Sequence, residues 1–136
     1  MRLIAGASIL TVDVHVDERG QLVALDGMDD VPFPMRRVFC IHVEQDGPPR
    51  GGHANSCDEF IVAVSGGVTL DLDNGYERCS TRLQRNNRGV WIQPGLLIDL
   101  RKFEPRTTLL VCASASYRQT RHFDRPQPHL YLAEAL

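Results

Sequence analysis

The fold of this chain depends most on one stretch, Gly47-Pro-Pro-Arg50-Gly-Gly-His53-Ala-Asn55-Ser-Cys-Asp-Glu59, which is followed by Gly66. His53 and Asn55 are two residues apart, so on a β-strand their side chains point to the same face. Glu59 follows a short break and returns on the next strand. The spacing therefore predicts two neighbouring strands that direct an imidazole, an amide and a carboxyl group into one interior.

Short strands separated by turns are predicted along the rest of the chain. Runs rich in Val, Ile and Leu alternate with Gly, Pro, Asn and Asp, and no long stretch keeps a 3.6-residue period. Asp73-Asn74-Gly75 predicts a tight turn, and Gly66-Gly67 predicts a second hairpin. This pattern is typical of an all-β sandwich or jelly roll. The predicted strands are 8–14, 21–25, 37–43, 59–65, 68–72, 77–82, 89–92, 98–103 and 107–113.

Composition predicts one globular domain over residues 1–136, with an irregular or helical tail at 118–136. The 136 residues are 43% hydrophobic and 24% charged, and a chain of this length can bury a core without disulfides or a structural metal. The net charge of -2 argues against whole-protein binding to nucleic acid or to an anionic membrane surface. No apolar run approaches the roughly 20 residues that span a bilayer. The four cysteines lack a C-x-x-C pair, so we expect free thiols in a cytoplasmic protein.

The stretch from Gly47 to Gly66 is similar to the first cupin motif, G-x5-H-x-H-x3-E-x6-G, with Asn55 in the place of the second His. The resemblance implies a cupin-type double-stranded β-helix, which is a jelly roll. Metal-dependent cupins take a further His from a second motif, and the corresponding region from Gly89 to Asp99 has none. A first-row metal usually needs three or four protein ligands. We therefore expect no metal, and a metal-dependent cupin oxygenase is the third alternative.

Over nearly its whole length the chain resembles the nucleotide-linked sugar 3,4-ketoisomerases, which convert a dTDP-4-keto-6-deoxyhexose into its 3-keto isomer for deoxyamino-sugar and polysaccharide biosynthesis. The resemblance implies a cupin fold, an activity without metal or cofactor, and a homodimer. The chain departs from the family pattern at three places: the sugar-pocket motif R-G-x-H-A-H has Asn55 here, Leu97 stands where the family usually has Trp, and acidic residues of the family tail are replaced by Arg after Tyr117. The landmarks are Asp17-Glu-Arg19-Gly20-Gln-Leu22, Val31-Pro32-Phe33, Arg37-Val38-Phe39, Arg50-Gly51-Gly52-His53-Ala54, Leu72-Asp73-Asn74-Gly75, Trp91-Ile92-Gln93-Pro94 and the run from Leu109 to Ser114.

The isomerisation requires a base that removes the C3 proton, a partner for the enediol oxygen, and an acid that delivers a proton to C4. His53 is the candidate proton carrier, since imidazole changes its charge near neutral pH. Asn55 is predicted to donate a hydrogen bond to the developing oxyanion, and Tyr117 is the further catalytic candidate. The predicted substrate-binding residues, among them the arginines suited to forked contacts with a diphosphate, are Arg19, Arg37, Arg50 and His122.

Two functions of different class fit these residues. The first is an isomerase acting on a dTDP-linked 6-deoxyhexose. The alternative is a non-catalytic cupin that binds a nucleotide sugar or a small acid as a regulator or partner subunit. Position 55 discriminates between them, because an amide cannot shuttle a proton.

Overall fold

A computed structural model describes residues 1–134 and contains two large antiparallel sheets, a small two-stranded sheet and one helix. The strands alternate along the chain with short turns, as the sequence pattern predicts. Their bounds are β1 Arg2–Ile4, β2 Ala7–Thr11, β3 Asp13–Asp17, β4 Gly20–Ala24, β5 Arg37–Val43, β6 Arg50–Asn55, β7 Glu59–Ser65, β8 Gly67–Asp73, β9 Arg78–Gln84, β10 Arg88–Ile92, β11 Leu97–Arg101, β12 Thr107–Ala113 and β13 His122–Phe123, and the helix α1 spans Pro128–Glu134.

The two large sheets form the two walls of a jelly roll. One has the strand order β1-β2-β10-β7-β12-β5 and the other the order β13-β6-β11-β8-β9. The largest apolar cluster joins side chains of both sheets, including Ile61 and Val111 from the first and Leu70, Leu72 and Leu100 from the second. Because non-consecutive strands are neighbours in each sheet, the chain crosses repeatedly between the walls. The all-β jelly roll predicted from the sequence is confirmed.

The turn predicted at Asp73-Asn74-Gly75 joins β8 to β9. Gly75 has a φ of 94°, a backbone conformation that Gly adopts at little cost. The Asn74 side chain is fully buried, and its Oδ1 accepts hydrogen bonds from the backbone N–H groups of Tyr76 and Glu77. Its Nδ2 donates to the carbonyl of Ala5. This turn therefore also ties the N-terminal segment to the second sheet.

The hairpin predicted at Gly66-Gly67 is wrong. Strand β7 pairs with β10 and β12, whereas β8 pairs with β11 and β9, so the two glycines carry the chain from one sheet to the other. Gly66 has a φ of 72°, and the Gly67 N–H donates to Oγ1 of the buried Thr107. A Gly-Gly pair supplies a sharp bend in both cases, and only the partners of the flanking strands distinguish a hairpin from a crossover.

The strand predicted at 8–14 is two strands, β2 and β3, which belong to different sheets. The chain leaves the large sheet at Val12, whose N–H donates to the carbonyl of Asn87 and whose side chain is buried. Strands β3 and β4 then form a separate hairpin. The strands β1 and β13 were not predicted, since each has only two or three residues.

The segment after Tyr117 is attached to the barrel by backbone hydrogen bonds. The Ser56 N–H donates to the carbonyl of Arg121, and the Gln127 N–H donates to the carbonyl of Gly95. Strand β13 pairs with β6, which extends the second sheet by one strand. Within residues 1–134 no helix has the length and apolar character that a membrane crossing requires. The four cysteines are free thiols, as predicted.

Candidate active site

A cavity of about 370 Å³ lies inside the jelly roll, which is within the usual size range of small-molecule sites. All predicted site residues except Arg19 line it. The cavity has an apolar inner part and a polar wall, so it can enclose a ring while a few polar groups orient it. The lining residues are Arg37, Phe39, Ile41, Arg50, Gly51, His53, Asn55, Glu59, Ile61, Ile98, Leu100, Val111, Tyr117 and His122.

Strand alternation places Arg37 in the cavity. On β5, Arg37, Phe39 and Ile41 are half-buried, whereas the residues between them are exposed. The Arg37 guanidinium lies 5.1 Å from the centre of the Phe39 ring, a distance at which a cation interacts with an aromatic face. The strand thus directs one cation and two apolar side chains to the same wall.

The second wall comes from β6, where His53 and Asn55 line the cavity as their spacing predicts. The preceding Gly51 has a φ of 93°, and a Cβ at this position would lie 2.6 Å from the carbonyl oxygen of Ile98. The register of β6 against β11 shifts at this point, between Ile98 and Asp99. A glycine is required here because the backbone of β6 approaches β11 more closely than a side chain would permit.

Glu59 is a cavity residue that was predicted to return on the next strand but was not named as a site residue. It begins β7, is 7% exposed, and accepts a hydrogen bond of 2.9 Å at Oε1 from Nδ2 of Asn55. Burial raises the pKa of the Glu59 carboxyl, and the positive charge of Arg37 opposes that shift. The sequence signal that could have identified Glu59 as a site residue was its place in the motif, four residues after Asn55.

The hydrogen bond to Glu59 changes what Asn55 can do. One N–H of its amide is engaged by the carboxylate, which leaves the second N–H as the donor for a substrate oxygen. The Oδ1 of Asn55 and the Nε of Arg37 are both buried without a hydrogen-bond partner. Two unpaired polar atoms at the edge of an apolar cavity favour a ligand that brings its own donors and acceptors.

Ring contacts connect the side chains at the mouth of the cavity. The His53 and His122 rings are 5.7 Å apart in an edge-to-face arrangement, and the Tyr117 and His122 rings are 5.4 Å apart. The Arg37 guanidinium lies 5.5 Å from the centre of the Tyr117 ring. Since Tyr117 is 69% exposed, it lies at the rim. The pairing of His122 with Asn55 in the β13–β6 ladder accounts for its position at the mouth.

Arg19 is the predicted site residue that does not line the cavity. It lies in the turn between β3 and β4, where its Nη2 is 2.6 Å from Oδ2 of Asp17. The Arg19 side chain is 85% exposed. The hydrogen bonds from Arg19 lower the pKa of the Asp17 carboxyl. Arg19 and Asp17 therefore form an ion pair in this exposed turn.

The cavity offers few metal ligands. Across residues 1–134 there is no group of three or more His, Cys, Asp and Glu side chains arranged to hold a metal ion. His53 and Glu59 would have to be joined by the amide of Asn55, whose Nδ2 faces Glu59. That the site works without a metal stays a prediction.

Comparison with known proteins gives matches over most of the chain. The model of the family described as FdtA: WxcM-like, C-terminal matches residues 5–132. The TDP-4-oxo-6-deoxy-alpha-D-glucose-3,4-oxoisomerase of Aneurinibacillus thermoaerophilus is 28% identical over 106 residues, which are 77% of this chain and 76% of that protein.

Solved structures of 3,4-ketoisomerases share the fold. One from Helicobacter canadensis superposes with a TM-score of 0.80 at 28% identity and covers 94% of this chain and 96% of its own. The WlaRB TDP-quinovose 3,4-ketoisomerase from Campylobacter jejuni superposes with a TM-score of 0.78 at 30% identity, with 84% and 88% of the two chains covered. The cupin-type jelly roll expected from the glycine, histidine and glutamate spacing is thus confirmed, and the chain belongs to the FdtA family, WxcM-like, C-terminal.

Proposed function

We propose that this protein is a sugar 3,4-ketoisomerase that interconverts the 4-keto and 3-keto forms of a dTDP-linked 6-deoxyhexose by acid/base chemistry, in deoxyamino-sugar biosynthesis. The observation that carries the proposal is the shared cavity, which brings His53, Asn55 and Glu59 together with Arg37 and Arg50. A base, oxyanion partners and cations for a diphosphate are the groups that the reaction needs. The names of the relatives from Aneurinibacillus and Campylobacter support the same substrate class.

The proposed reaction begins when His53 removes the proton from C3 of the 4-keto sugar. The electrons of the C–H bond form the C3–C4 double bond, and the carbonyl oxygen on C4 gains negative charge as the enediol forms. The free N–H of Asn55 donates to this developing charge. The protonated His53 then returns its proton to C4 as the electrons of the C3–C4 double bond form the new C4–H bond, the C3–O3 double bond forms, and the O3 proton is transferred to O4. Hydrogen bonds that strengthen as charge develops lower the barrier.

The arginines are proposed to hold the diphosphate. Arg37 and Arg50 line the cavity from different sheets, at the first positions of β5 and β6. Tyr117 and His122 form the rim, where they contact the group that enters the cavity. In this arrangement Tyr117 binds the substrate. A catalytic role for Tyr117 is the alternative, and the substitution of His53 tests it.

We further propose a single cupin domain over residues 1–136, a homodimer and a cytoplasmic location. Strand β5 is an edge of the six-stranded sheet, and its exposed face carries Val38, which is 56% exposed. Pairing with a second copy would cover an edge of this kind. Light scattering that gives the mass of one chain would contradict the dimer.

A non-catalytic cupin that binds a nucleotide sugar is the second candidate, and Asn55 is the observation that favours it. Incubation of the protein with dTDP-4-keto-6-deoxyglucose in D₂O, followed by NMR of the C3 position, separates the two. The expected result is deuterium at C3 of the 4-keto sugar, together with the appearance of a 3-keto product. Binding of the nucleotide sugar that raises the melting temperature without any exchange would support the binding protein instead.

A further inference from the structure

The cavity contains a carboxyl group, that of Glu59, beside Asn55, whose amide cannot carry a proton. Among the described residues that line the cavity, Glu59 is the only carboxylate. It begins β7, which follows β6 in the chain and belongs to the opposite sheet, while β6 carries His53 and Asn55. An imidazole and a carboxyl group therefore share one small cavity in which the reacting atoms are to be held.

The surroundings of Glu59 favour the protonated form of its carboxyl group more than water does. Among residues 1–134, no Arg, Lys or His nitrogen forms an ion pair within 4.0 Å of its oxygens. Its one hydrogen-bond donor in the structure is Nδ2 of Asn55, at Oε1. Burial raises the pKa of Glu59, and Arg37 is the cation that opposes this most.

Glu59 has apolar neighbours on one side of the cavity and titratable neighbours on the other. The strands β7, β11 and β12 contribute Ile61, Ile98, Leu100 and Val111 to the interior, none of which titrates. Burial also raises the pKa of the neighbouring Cys57 thiol, and Glu59 raises it further when its carboxyl group is ionised. The charged or titratable residues facing Glu59 from the elements packed around it are Arg37 from β5, Arg50 and His53 from β6, Cys57 from the turn after β6, Tyr117 from the rim, and His122 from β13.

We propose that Glu59 is the second acid/base group of this site and moves the hydroxyl proton between the two substrate oxygens while His53 moves the carbon proton. This inference rests on the proposed function. Ketone transposition exchanges two protons, one between C3 and C4 and one between O3 and O4. An amide at position 55 can carry neither, whereas Glu59 can carry the second.

The proton balance closes in two steps. In the first, His53 takes the C3 proton, the C–H electrons form the C3–C4 double bond, and O4 takes the proton of the Glu59 carboxyl. In the second, the Glu59 carboxylate takes the O3 proton, the C3–O3 double bond forms, and C4 takes the proton from His53. Both side chains return to their starting states, and no oxidant or co-reactant is needed.

The role of Asn55 follows from this assignment. Its amide holds Oε1 of Glu59 at 2.9 Å, which orients the carboxyl group and leaves Oε2 as the atom free for proton transfer. Asn55 is then a positioning residue for Glu59, in addition to donating its second N–H to the substrate. The hydrogen bond from Asn55 lowers the pKa of Glu59, and burial, which raises this pKa, is the larger effect.

The test is Glu59→Gln in the full chain, which keeps an acceptor for Asn55 but cannot ionise. The rate of 3-keto product formation and the binding of dTDP are measured together. We expect kcat to fall by about 10²- to 10⁴-fold, the range for loss of a positioned acid/base, with dTDP affinity within about two-fold of the wild type. Glu59→Asp, which keeps a shorter ionisable group, is expected to recover part of the lost rate and to shift the pH profile of kcat.

The matched control is Asp58→Asn. Asp58 is also 7% exposed, but its carboxylate accepts a hydrogen bond from Trp91 and does not line the cavity. At temperatures below its melting temperature, the Asp58→Asn variant is expected to have a kcat near the wild-type value. A Glu59→Gln variant with kcat within about three-fold of the wild type and an unchanged pH profile would overturn the role of Glu59 alone. A wild type that binds dTDP-4-keto-6-deoxyglucose but forms no product would overturn the proposed isomerase function, and the role of Glu59 with it.

Discussion

Replacement of His53 by Ala removes the imidazole from the cavity wall without opening the core. His53 is exposed to the cavity, and its ring contact in the structure is with His122 at 5.7 Å. The buried core cluster is formed by other residues. A substitution of this kind usually changes stability by less than about 0.5 kcal/mol, so a loss of activity would report on chemistry.

The expected loss of activity is large. Removal of a positioned acid/base lowers the rate by about 10²- to 10⁴-fold. At 1.36 kcal/mol for each factor of ten, this raises the barrier by about 2.7 to 5.4 kcal/mol. The melting temperature is expected to change by no more than roughly 2 °C, since 1 kcal/mol corresponds to a few degrees in a domain of this size.

The assay follows deuterium incorporation at C3 by NMR in D₂O, together with calorimetric titration of dTDP. The diphosphate is proposed to contact Arg37 and Arg50, so His53→Ala should bind dTDP with nearly wild-type affinity. His15→Ala is the matched control, because His15 is an exposed histidine on the β3–β4 hairpin. Full exchange activity in His53→Ala would refute the assignment and make Tyr117 or His122 the next residue to substitute.

Four further predictions concern other residues of the cavity and of the β8–β9 turn. Asn55→His, which restores the family motif, should keep or raise activity in the exchange assay, and complete loss would contradict the positions assigned to this wall. Arg50→Ala should weaken dTDP binding and reduce its dependence on salt, since ions screen a diphosphate contact; unchanged affinity at low salt would exclude Arg50 from the diphosphate site. Asn74→Ala removes hydrogen bonds to three backbone groups and should lower the free energy of unfolding by about 2–4 kcal/mol, as measured in urea. The pKa of Glu59 is raised on folding, so the contribution of its protonated form to stability is present at acid pH and is lost as pH rises through the folded-state pKa. The melting temperature of the wild type should therefore fall relative to that of Glu59→Gln as pH increases. Parallel curves of melting temperature against pH would contradict this prediction.

Local chemistry explains what was predictable from the sequence. The turn at Asp73-Asn74-Gly75 depends on a side chain that satisfies nearby N–H groups and on a glycine with positive φ, and both are properties of adjacent residues. The shared orientation of His53 and Asn55 depends only on the two-residue period of a strand. For these features the residues that interact are neighbours in the chain, so their pattern is sufficient.

The tertiary structure decided which residues meet across the sheets. The two glycines at 66 and 67 join different sheets because β7 and β8 find their partners elsewhere in the chain. Arg19 and Arg37 are both candidate substrate-binding residues in the sequence, yet one pairs with Asp17 in a turn and the other lies in the cavity against Phe39.

The pairing of Glu59 with Asn55, and of His122 with the strand that carries Asn55, also required the folded chain. The crossings between the sheets bring His122 beside Asn55, which lies more than sixty residues earlier in the chain. The sequence determined the types of group available and the face of each strand. Their distances, burial and charge were set by long-range strand pairing, because desolvation and hydrogen bonding depend on every neighbour that packs around a group.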